Sequence, residues 1–310
     1  MKFLKQMIRE FNWIFVILLV LGCANVLAVR QIPEIILGEE TFFPTIEAYT
    51  EAPIVGGNRI EVLLNGDETF PSMLREIRSA QSTITFAQYF YEGPVVKFLQ
   101  AAFAESWLET TGIVIGGNGY FPRLEPVGNL PAQIVRSSPA GGSFQNYMLF
   151  LLSINSAKKS IFITNPYFIP DDVMTEALLK AAGRGVRVVV LAPGKIDSQL
   201  TYTASRGHYG TLLLGGVQIF EYQASLMHAK TMVVDGVWAT IGSTNFDNRS
   251  FALNQELNLT VYDSGVARRL EEVFQEDLKY SKQVTYEEWQ SPGIFERFFE
   301  LFAFPIKEQL

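Results

Sequence analysis

The sequence predicts an α/β fold in which a mixed sheet is flanked by helices. Residues 160–165, 173–182 and 186–191 alternate as a strand, a helix and a valine-rich strand, which is the pattern of a βαβ unit. A helix over 205–214 and a strand over 217–222 continue the alternation. Such units build sheets that are covered by helices on both faces and that bind ligands at the strand ends.

Bulk composition limits the classes of protein to which the chain can belong. The chain has 310 residues, of which 48% are hydrophobic, and can therefore bury a substantial core. Its net charge of −7 argues against nucleic-acid binding through a large basic surface. It has one cysteine and two histidines, so we expect no intrachain disulfide, no metal site and no cofactor.

The N-terminal residues 1–30 are predicted to be a membrane anchor or a signal. Three basic residues precede an apolar run over 11–29, whose length is near the roughly 20 residues that cross a bilayer. The acidic residues that follow favour a cytoplasmic N-terminus. Two alternatives stay open: a cleaved signal peptide, and a lipoprotein signal that uses Cys23.

The chain then divides into a linker and two unequal repeats. We expect an extended linker over 31–57, a truncated first repeat over 58–130, a second repeat over 131–290 and an amphipathic segment over 291–310. The first repeat opens with a predicted strand (60–64), a turn (65–67), a helix (70–81) and a strand (83–91). Five phenylalanines within 294–304 fit either a helix on a membrane surface or a helix docked on the core.

Two internal echoes indicate a duplication. The pattern Ile-x-Ser-Ala, Ile and Tyr-Phe of residues 77–90 recurs over 154–168, and residues 93–105 resemble 264–276. Between the echoes, the second copy contains about 93 residues that have no counterpart in the first. The predicted join lies near Tyr91, and it reflects either a natural loss or an error in sequence assembly.

The residues that carry chemistry lie within the second copy. His228 and Lys230 are predicted to share one face of a strand that runs towards Asp235, with Ser243 and Asn245 following the next strand. A neutral imidazole can attack a phosphate while an ammonium neutralises the phosphate oxygens. An isolated His-x-Lys tripeptide would more often be an ordinary strand, but the longer pattern is specific.

That pattern, H-x-K-x-x-x-x-D followed by G-S-x-N, resembles the HKD motif of the phospholipase D superfamily. The strings N-P-Y-F-I-P (165–170), G-S-T-N-F-D-N-R-S (242–250) and N-Q-E (254–256) resemble the bacterial cardiolipin synthases of that superfamily. The resemblance implies a phospholipase D-like fold and phosphatidyl transfer in two steps through a phosphohistidine. It also implies two HKD motifs, of which this chain has one.

Roles follow from the matching positions. The resemblance makes His228 the nucleophile or general acid, Lys230 and Asn245 the phosphate ligands with help from Ser243, and Glu256 the carboxylate that orients the imidazole. Asp235 belongs to the matched motif and is counted with the catalytic group, although fixing a turn is its favoured role. His208 matches no motif and is expected to be a surface or half-buried helix residue.

The resemblance implies a transferase that acts on a phospholipid, with phosphatidylglycerol as the expected substrate, at a bacterial cell membrane and without nucleic acid. The folded part is expected outside the cytoplasm, which the sequence alone does not decide. Two alternatives stay open. The first alternative is an inactive remnant that binds lipid phosphate. The second is a single-motif phosphodiesterase or nuclease that works as a homodimer.

Overall fold

The computed structural model describes residues 29, 32, 35–81, 84, 94–138 and 144–290 of the chain. Within these ranges the strands are β1 (Val55–Asn58), β2 (Leu130–Ser137), β3 (Ser160–Thr164), β4 (Arg187–Pro193), β5 (Gln218–Tyr222), β6 (Thr231–Val234), β7 (Trp238–Gly242), β8 (Glu256–Val261) and β9 (Ser281–Val284). They form one sheet in the order β1-β2-β8-β7-β6-β3-β4-β5-β9. Only β3–β4 and β4–β5 are parallel, so the sheet is mixed, as predicted.

Helices cover both faces of this sheet. They are α1 (Phe42–Thr50), α2 (Asn65–Ser79), α3 (Val96–Thr111), α4 (Gln145–Ser156), α5 (Asp172–Gly183), α6 (Gln199–Leu214), α7 (Asn248–Ala252), α8 (Ser264–Leu278) and α9 (Tyr286–Gln290). One face buries the apolar residues of α1, α4, α5 and α6, and the other buries those of α3 and α8. Alternate strand residues point to opposite faces, as the period-2 pattern requires.

The second copy folds largely as the sequence predicts. The βαβ unit of β3, α5 and β4 and the strands β5 and β7 lie where the periodicity places them, and α6 covers the predicted helix over 205–214 but begins six residues earlier, at Gln199. Two of the helices have N-caps, because Asp171 and Ser198 accept hydrogen bonds from backbone N–H groups of the first turns of α5 and α6.

The first predicted strand, over 60–64, is wrong. The strand lies earlier, at β1, and its end is fixed by the buried side chain of Asn58. That side chain donates to the carbonyl oxygens of Val55 and Leu130 and accepts from the backbone N–H of Val95. These tertiary hydrogen bonds override the local β-propensity of the apolar run that follows.

The predicted turn over 65–67 is also wrong, because α2 begins there. Glu68 in the first turn accepts a hydrogen bond from the backbone N–H of Leu64 at 2.8 Å, which satisfies a donor at the start of the helix. The predicted helix over 70–81 is confirmed, with a start five residues earlier.

Three predicted segments lie outside the described residues. These are the anchor over 11–29 apart from Val29, the strand over 83–91 apart from Ile84, and the C-terminal segment over 291–310. In the part of the chain that the structure describes, no helix combines the length and apolar character that crossing a membrane requires.

Asp235 lies in the turn between β6 and β7 with a positive φ of 55°. Its carboxylate accepts hydrogen bonds from the backbone N–H groups of Lys158, Lys159 and Ser160 at 2.7–2.9 Å. It therefore ties the hairpin to the connection between α4 and β3. The whole of β6 separates it from Lys230, roughly 16 Å for five residues at about 3.3 Å each, so Asp235 does not lie beside Lys230 and His228, with which the motif grouped it.

We expect Asp235→Ala to lower the free energy of unfolding by about 1–3 kcal/mol, because three backbone donors lose their shared acceptor. Asp235→Asn is the matched control, since asparagine tolerates the left-handed conformation and keeps one acceptor oxygen. Denaturant unfolding measures the difference. Unchanged stability in the alanine variant would contradict the structural role.

Candidate functional site

The candidate site lies at one edge of the sheet, where several strands begin or end. β3, β4 and β7 end at this edge, whereas β6 and β8 begin there. The segments that follow β3, β4 and β7 therefore meet the segment that precedes β6. This convergence brings together residues that lie as much as 91 positions apart in sequence, from Asn165 to Glu256.

His228 and Lys230 stand at the centre of this edge. The Lys230 Nζ atom lies 2.7 Å from His228 Nδ1 and 3.0 Å from the His228 carbonyl oxygen. The sequence places both residues within a strand, but β6 begins only at Thr231. They lie in the segment before it, where the backbone carbonyl of Lys230 accepts a hydrogen bond from the N–H of Gly242.

Electrostatics favour the neutral imidazole. Partial burial and the nearby Lys230 ammonium hold the pKa of His228 below its usual value, whereas the Asp197 carboxylate acts in the opposite direction. A neutral ring near pH 7 has a lone pair available for attack on phosphorus.

The pKa of Lys230 is shifted as well. Burial lowers the pKa of its ammonium to about 8, although Glu256, Asp197 and Asp247 each favour the charged form. Lys230 therefore changes its charge within one or two pH units of neutrality, which makes this side chain sensitive to an anion bound beside it.

Ser243 and Glu256 form a tightly bonded pair behind this centre. The Ser243 hydroxyl donates to Glu256 Oε2 at 2.5 Å and accepts from the backbone N–H of Leu257 at 3.0 Å. The second carboxylate oxygen, Oε1, accepts from the Asn254 amide at 3.2 Å. Burial raises the pKa of Glu256, and the hydrogen bonds that it accepts oppose that rise.

These contacts bear on the role expected for Glu256. The hydrogen bonds of its carboxylate go to Ser243, Asn254 and Ser250, whereas Nδ1 of His228 contacts Lys230. The orienting role of Glu256 stays a prediction. In this arrangement Glu256 favours the charged form of Lys230, whose pKa it raises.

Asn245 connects the site to a buried residue that sequence reasoning missed. Its amide donates to the hydroxyl of Ser250 at 3.2 Å, and its Oδ1 atom is buried with no hydrogen-bond partner among the described residues. Ser250 is fully buried, and its backbone N–H donates to Asp247, the N-cap of α7. Burial raises the pKa of Asp247 to about 7. The matched string G-S-T-N-F-D-N-R-S contains both residues, so the motif was their only signal.

The segment after β3 supplies an aromatic wall. Asn165 is buried and acts as a clamp, because its Oδ1 atom accepts from the backbone N–H groups of Tyr167 and Phe246 and its Nδ2 donates to the Thr244 carbonyl. Tyr167 is half-buried beside the His228 ring, with 5.7 Å between the ring centroids. Phe168 is fully buried in the core, so of the two aromatics only Tyr167 faces the site.

The remaining candidates lie elsewhere. Asp235 is at the far end of β6, and His208 is half-buried in α6. Among the described residues, no group of three or more histidine, cysteine, aspartate or glutamate side chains is placed to hold a metal ion.

The comparisons with known proteins agree with this geometry. Residues 151–278 match the family model described as "Cardiolipin synthase, PLD-like domain". Cardiolipin synthase 2 of Staphylococcus epidermidis is 37% identical over 211 residues, which are 67% of this chain and 43% of the relative. The cardiolipin synthase of Alkalihalophilus pseudofirmus is 37% identical over 68% of this chain and 42% of the relative.

A solved structure, the phosphatidylserine synthase of Haemophilus influenzae, superposes with a TM-score of 0.50 at 16% identity, covering 68% of this chain and 53% of that chain. The matched part of this chain spans less than half the length of the curated relatives named above. The family match, the two cardiolipin synthase relatives and the shared fold lead to one conclusion: residues 151–278 form a phospholipase D-like domain of the cardiolipin synthase type.

Proposed function

We propose that the chain carries one catalytic half-site of a phosphatidyltransferase of the cardiolipin synthase type, with His228 as its nucleophile. The observation that carries this proposal is the contact of 2.7 Å between Lys230 Nζ and His228 Nδ1 at an edge where Ser243, Asn245 and Glu256 converge. A neutral imidazole beside an ammonium suits attack on an anionic phosphodiester.

In the proposed reaction, His228 Nε2 attacks the phosphorus of a phospholipid such as phosphatidylglycerol. The N–P bond forms as the P–O bond to the headgroup alcohol breaks, and the departing alkoxide must take a proton. A hydroxyl group of the acceptor then attacks the phosphohistidine and gives its proton to the base left by the group that protonated the alkoxide. The new P–O bond forms as the N–P bond breaks, and His228 is released. The steps at phosphorus are the same whether the acceptor is a lipid alcohol, glycerol or water.

The tautomer of His228 decides when this attack is feasible. An ammonium that donates to Nδ1 leaves the proton of a neutral ring on Nε2, the nitrogen that must attack. Lys230 therefore has to leave Nδ1 for the phosphate oxygens, and Nδ1 must then carry the ring proton. Glu256, in the adjacent hydrogen-bonded pair, is the carboxylate proposed to accept a hydrogen bond from the N–H group at Nδ1.

The proton for the leaving alkoxide is the weak point of the half-site. The described residues place one imidazole at this edge, since His208 lies half-buried in α6. Loss of a general acid commonly costs about 10²–10⁴-fold in rate. This favours the second candidate function, a remnant that binds lipid phosphate with little turnover. A homodimer that pairs two His228 sites, acting on phospholipid or on nucleic acid, is the third; the net charge of −7 counts against nucleic acid.

The first test separates attack from leaving-group protonation. We expect the purified chain to form phosphohistidine with bis(p-nitrophenyl) phosphate, whose leaving group departs without protonation, yet to make little or no cardiolipin from phosphatidylglycerol. Phosphorus NMR of the trapped intermediate and lipid chromatography measure the two reactions. His228→Ala should abolish the intermediate, and His208→Ala is the matched control.

Two results would contradict the half-site. Phosphohistidine in the His228→Ala variant would remove the nucleophile. Cardiolipin synthesis at the rate of a two-motif relative would show that the missing proton donor is supplied, and a dependence of that rate on protein concentration would assign it to a second chain.

The second test uses the charge of Lys230. The protonated amine binds anions, and its charge is lost as the pH rises through the pKa of about 8. We expect the affinity for tungstate, a dianion throughout this range, to fall about tenfold per pH unit above pH 8 in isothermal titration calorimetry. Lys230→Arg should keep its charge and flatten this decline, because the guanidinium stays protonated. Equal pH dependence in both proteins would exclude Lys230 as the phosphate ligand.

The third test concerns the membrane. We propose that the apolar run over 11–29 holds the protein on a bacterial membrane. Deletion of residues 1–30 should move the protein from the membrane fraction to the soluble fraction after centrifugation of cell lysates. Recovery of the intact, uncleaved chain in the soluble fraction would contradict the anchor.

A further inference from the structure

The loop between β4 and α6 brings an acidic side chain to the candidate site that no motif identifies. Asp197 is exposed, and both ends of its loop are fixed. The backbone N–H of Gly194 donates to the Tyr222 carbonyl at 2.8 Å, and the ammonium of Lys195 donates to the Ala224 carbonyl at 2.9 Å. Ser198 caps α6 by accepting from the N–H of Thr201. Asp197 therefore occupies a defined position although it lies in a loop.

Tyr167 connects Asp197 to the nucleophile. Its hydroxyl donates to Asp197 Oδ2 at 2.6 Å, and its backbone N–H donates to the buried Asn165 side chain at 3.2 Å. The ring is thus held at both ends. It meets the His228 imidazole at an interplanar angle of 87°, which is the edge-to-face arrangement that aromatic pairs prefer.

The hydroxyl of Tyr167 remains a donor across the working range of pH. Burial, and then the hydrogen bond to Asp197, raise the pKa of Tyr167 to about 12. The link between Tyr167 and Asp197 is consequently a phenol–carboxylate hydrogen bond, which is stronger than a neutral one.

We propose that Tyr167 and Asp197 are positioning residues for His228. The Tyr167 ring holds the imidazole plane, and the Asp197 carboxylate both anchors that ring and stabilises positive charge on the imidazole. The catalytic part of this inference rests on the proposed function, because attack by a ring nitrogen makes the imidazole cationic while the other nitrogen keeps its proton.

The charges around His228 give the direction in which its pKa should change when the Asp197 charge is removed. Lys230 and partial burial disfavour the imidazolium and lower the pKa of His228, whereas Asp197 is the carboxylate that raises it. Glu256 on β8 and Asp247 at the N-terminus of α7 raise the pKa of Lys230. Removal of the Asp197 charge should therefore lower the pKa of His228 further.

The test is proton NMR of the imidazole signals in the full chain. The chain has two histidines, so His208→Asn assigns both signals, and His208 then reports on the fold in every other variant. Asp197→Asn removes the charge and keeps an acceptor for the Tyr167 hydroxyl. Tyr167→Phe removes the hydroxyl, and Tyr167→Leu removes the ring. Glu176→Gln on the exposed face of α5 and Tyr280→Phe at an exposed tyrosine are the matched controls.

We expect Asp197→Asn to lower the pKa of His228 and leave His208 unchanged. Tyr167→Leu should move the ring-proton shifts of His228, because the ring current of Tyr167 is lost, whereas Tyr280→Phe should not. The same titration curve for His228 in Asp197→Asn and wild type would overturn the role of Asp197. Unchanged His228 shifts in Tyr167→Leu would overturn the contact with the ring.

A kinetic readout separates positioning from a merely structural effect. With the activated phosphodiester, Tyr167→Leu and Tyr167→Phe should lower kcat roughly 10–100-fold with little change in KM, because the imidazole is misplaced and the phosphate ligands are intact. Equal kcat in wild type and both variants would refute the positioning role. The NMR result does not depend on turnover, so an inactive chain would refute the proposed function and still leave this inference testable.

Discussion

The candidate site depends on the antiparallel insertion of β6 between β3 and β7. Thr164 at the end of β3 pairs with Thr231 at the start of β6, which pairs in turn with Ile241 near the end of β7. Gly242 then lies opposite Asn258 near the start of β8. A shift of one residue in any of these pairs would turn alternate side chains to the other face of the sheet. The register therefore fixes which residues meet at the edge.

A buried polar network keeps that edge in place. The amide of Asn258 donates to Asn146 on α4 and to Thr244 beside the site, and Asn146 donates to Ser137 on β2. Each of these groups would be costly to bury without a partner, so the hydrogen bonds specify one arrangement of the elements that carry them. The network also explains Gly242, since a Cβ atom there would lie 1.6 Å from the Asn258 side-chain oxygen. The glycine that precedes Ser243 is required by the close approach of β7 and β8.

Sequence patterns predicted most elements of the second repeat because their hydrophobic periodicity agrees with the fold. They failed at β1, where the determinant is the buried side chain of Asn58 and its partners 37 and 72 positions away.

The site, too, contains residues whose positions depend on contacts between distant parts of the sequence. The motif identified His228, Lys230, Ser243, Asn245 and Glu256, and these residues meet at one edge. Asp197 carries no local signal, because only the parallel pairing of β4 with β3 brings its loop to His228. The hydrogen-bonding of Glu256 with Ser243, likewise, follows from side-chain geometry that spacing does not encode.

A helix of the predicted first repeat covers one flank of the candidate site. α3 packs on the sheet through the cluster that contains Val95 and Ile134, and its C-terminal half reaches Gln255 next to the site. Ser106 and Glu109 hydrogen-bond Gln255, which directly precedes Glu256, and Glu105 forms an ion pair with Arg136 on β2. This flank of the site is therefore covered by a segment of the same chain. On the side of Tyr167 and Asp197, by contrast, Asp197 is exposed and Tyr167 is half-buried. Among the described residues, the pair proposed to position His228 is therefore also the accessible flank of the site.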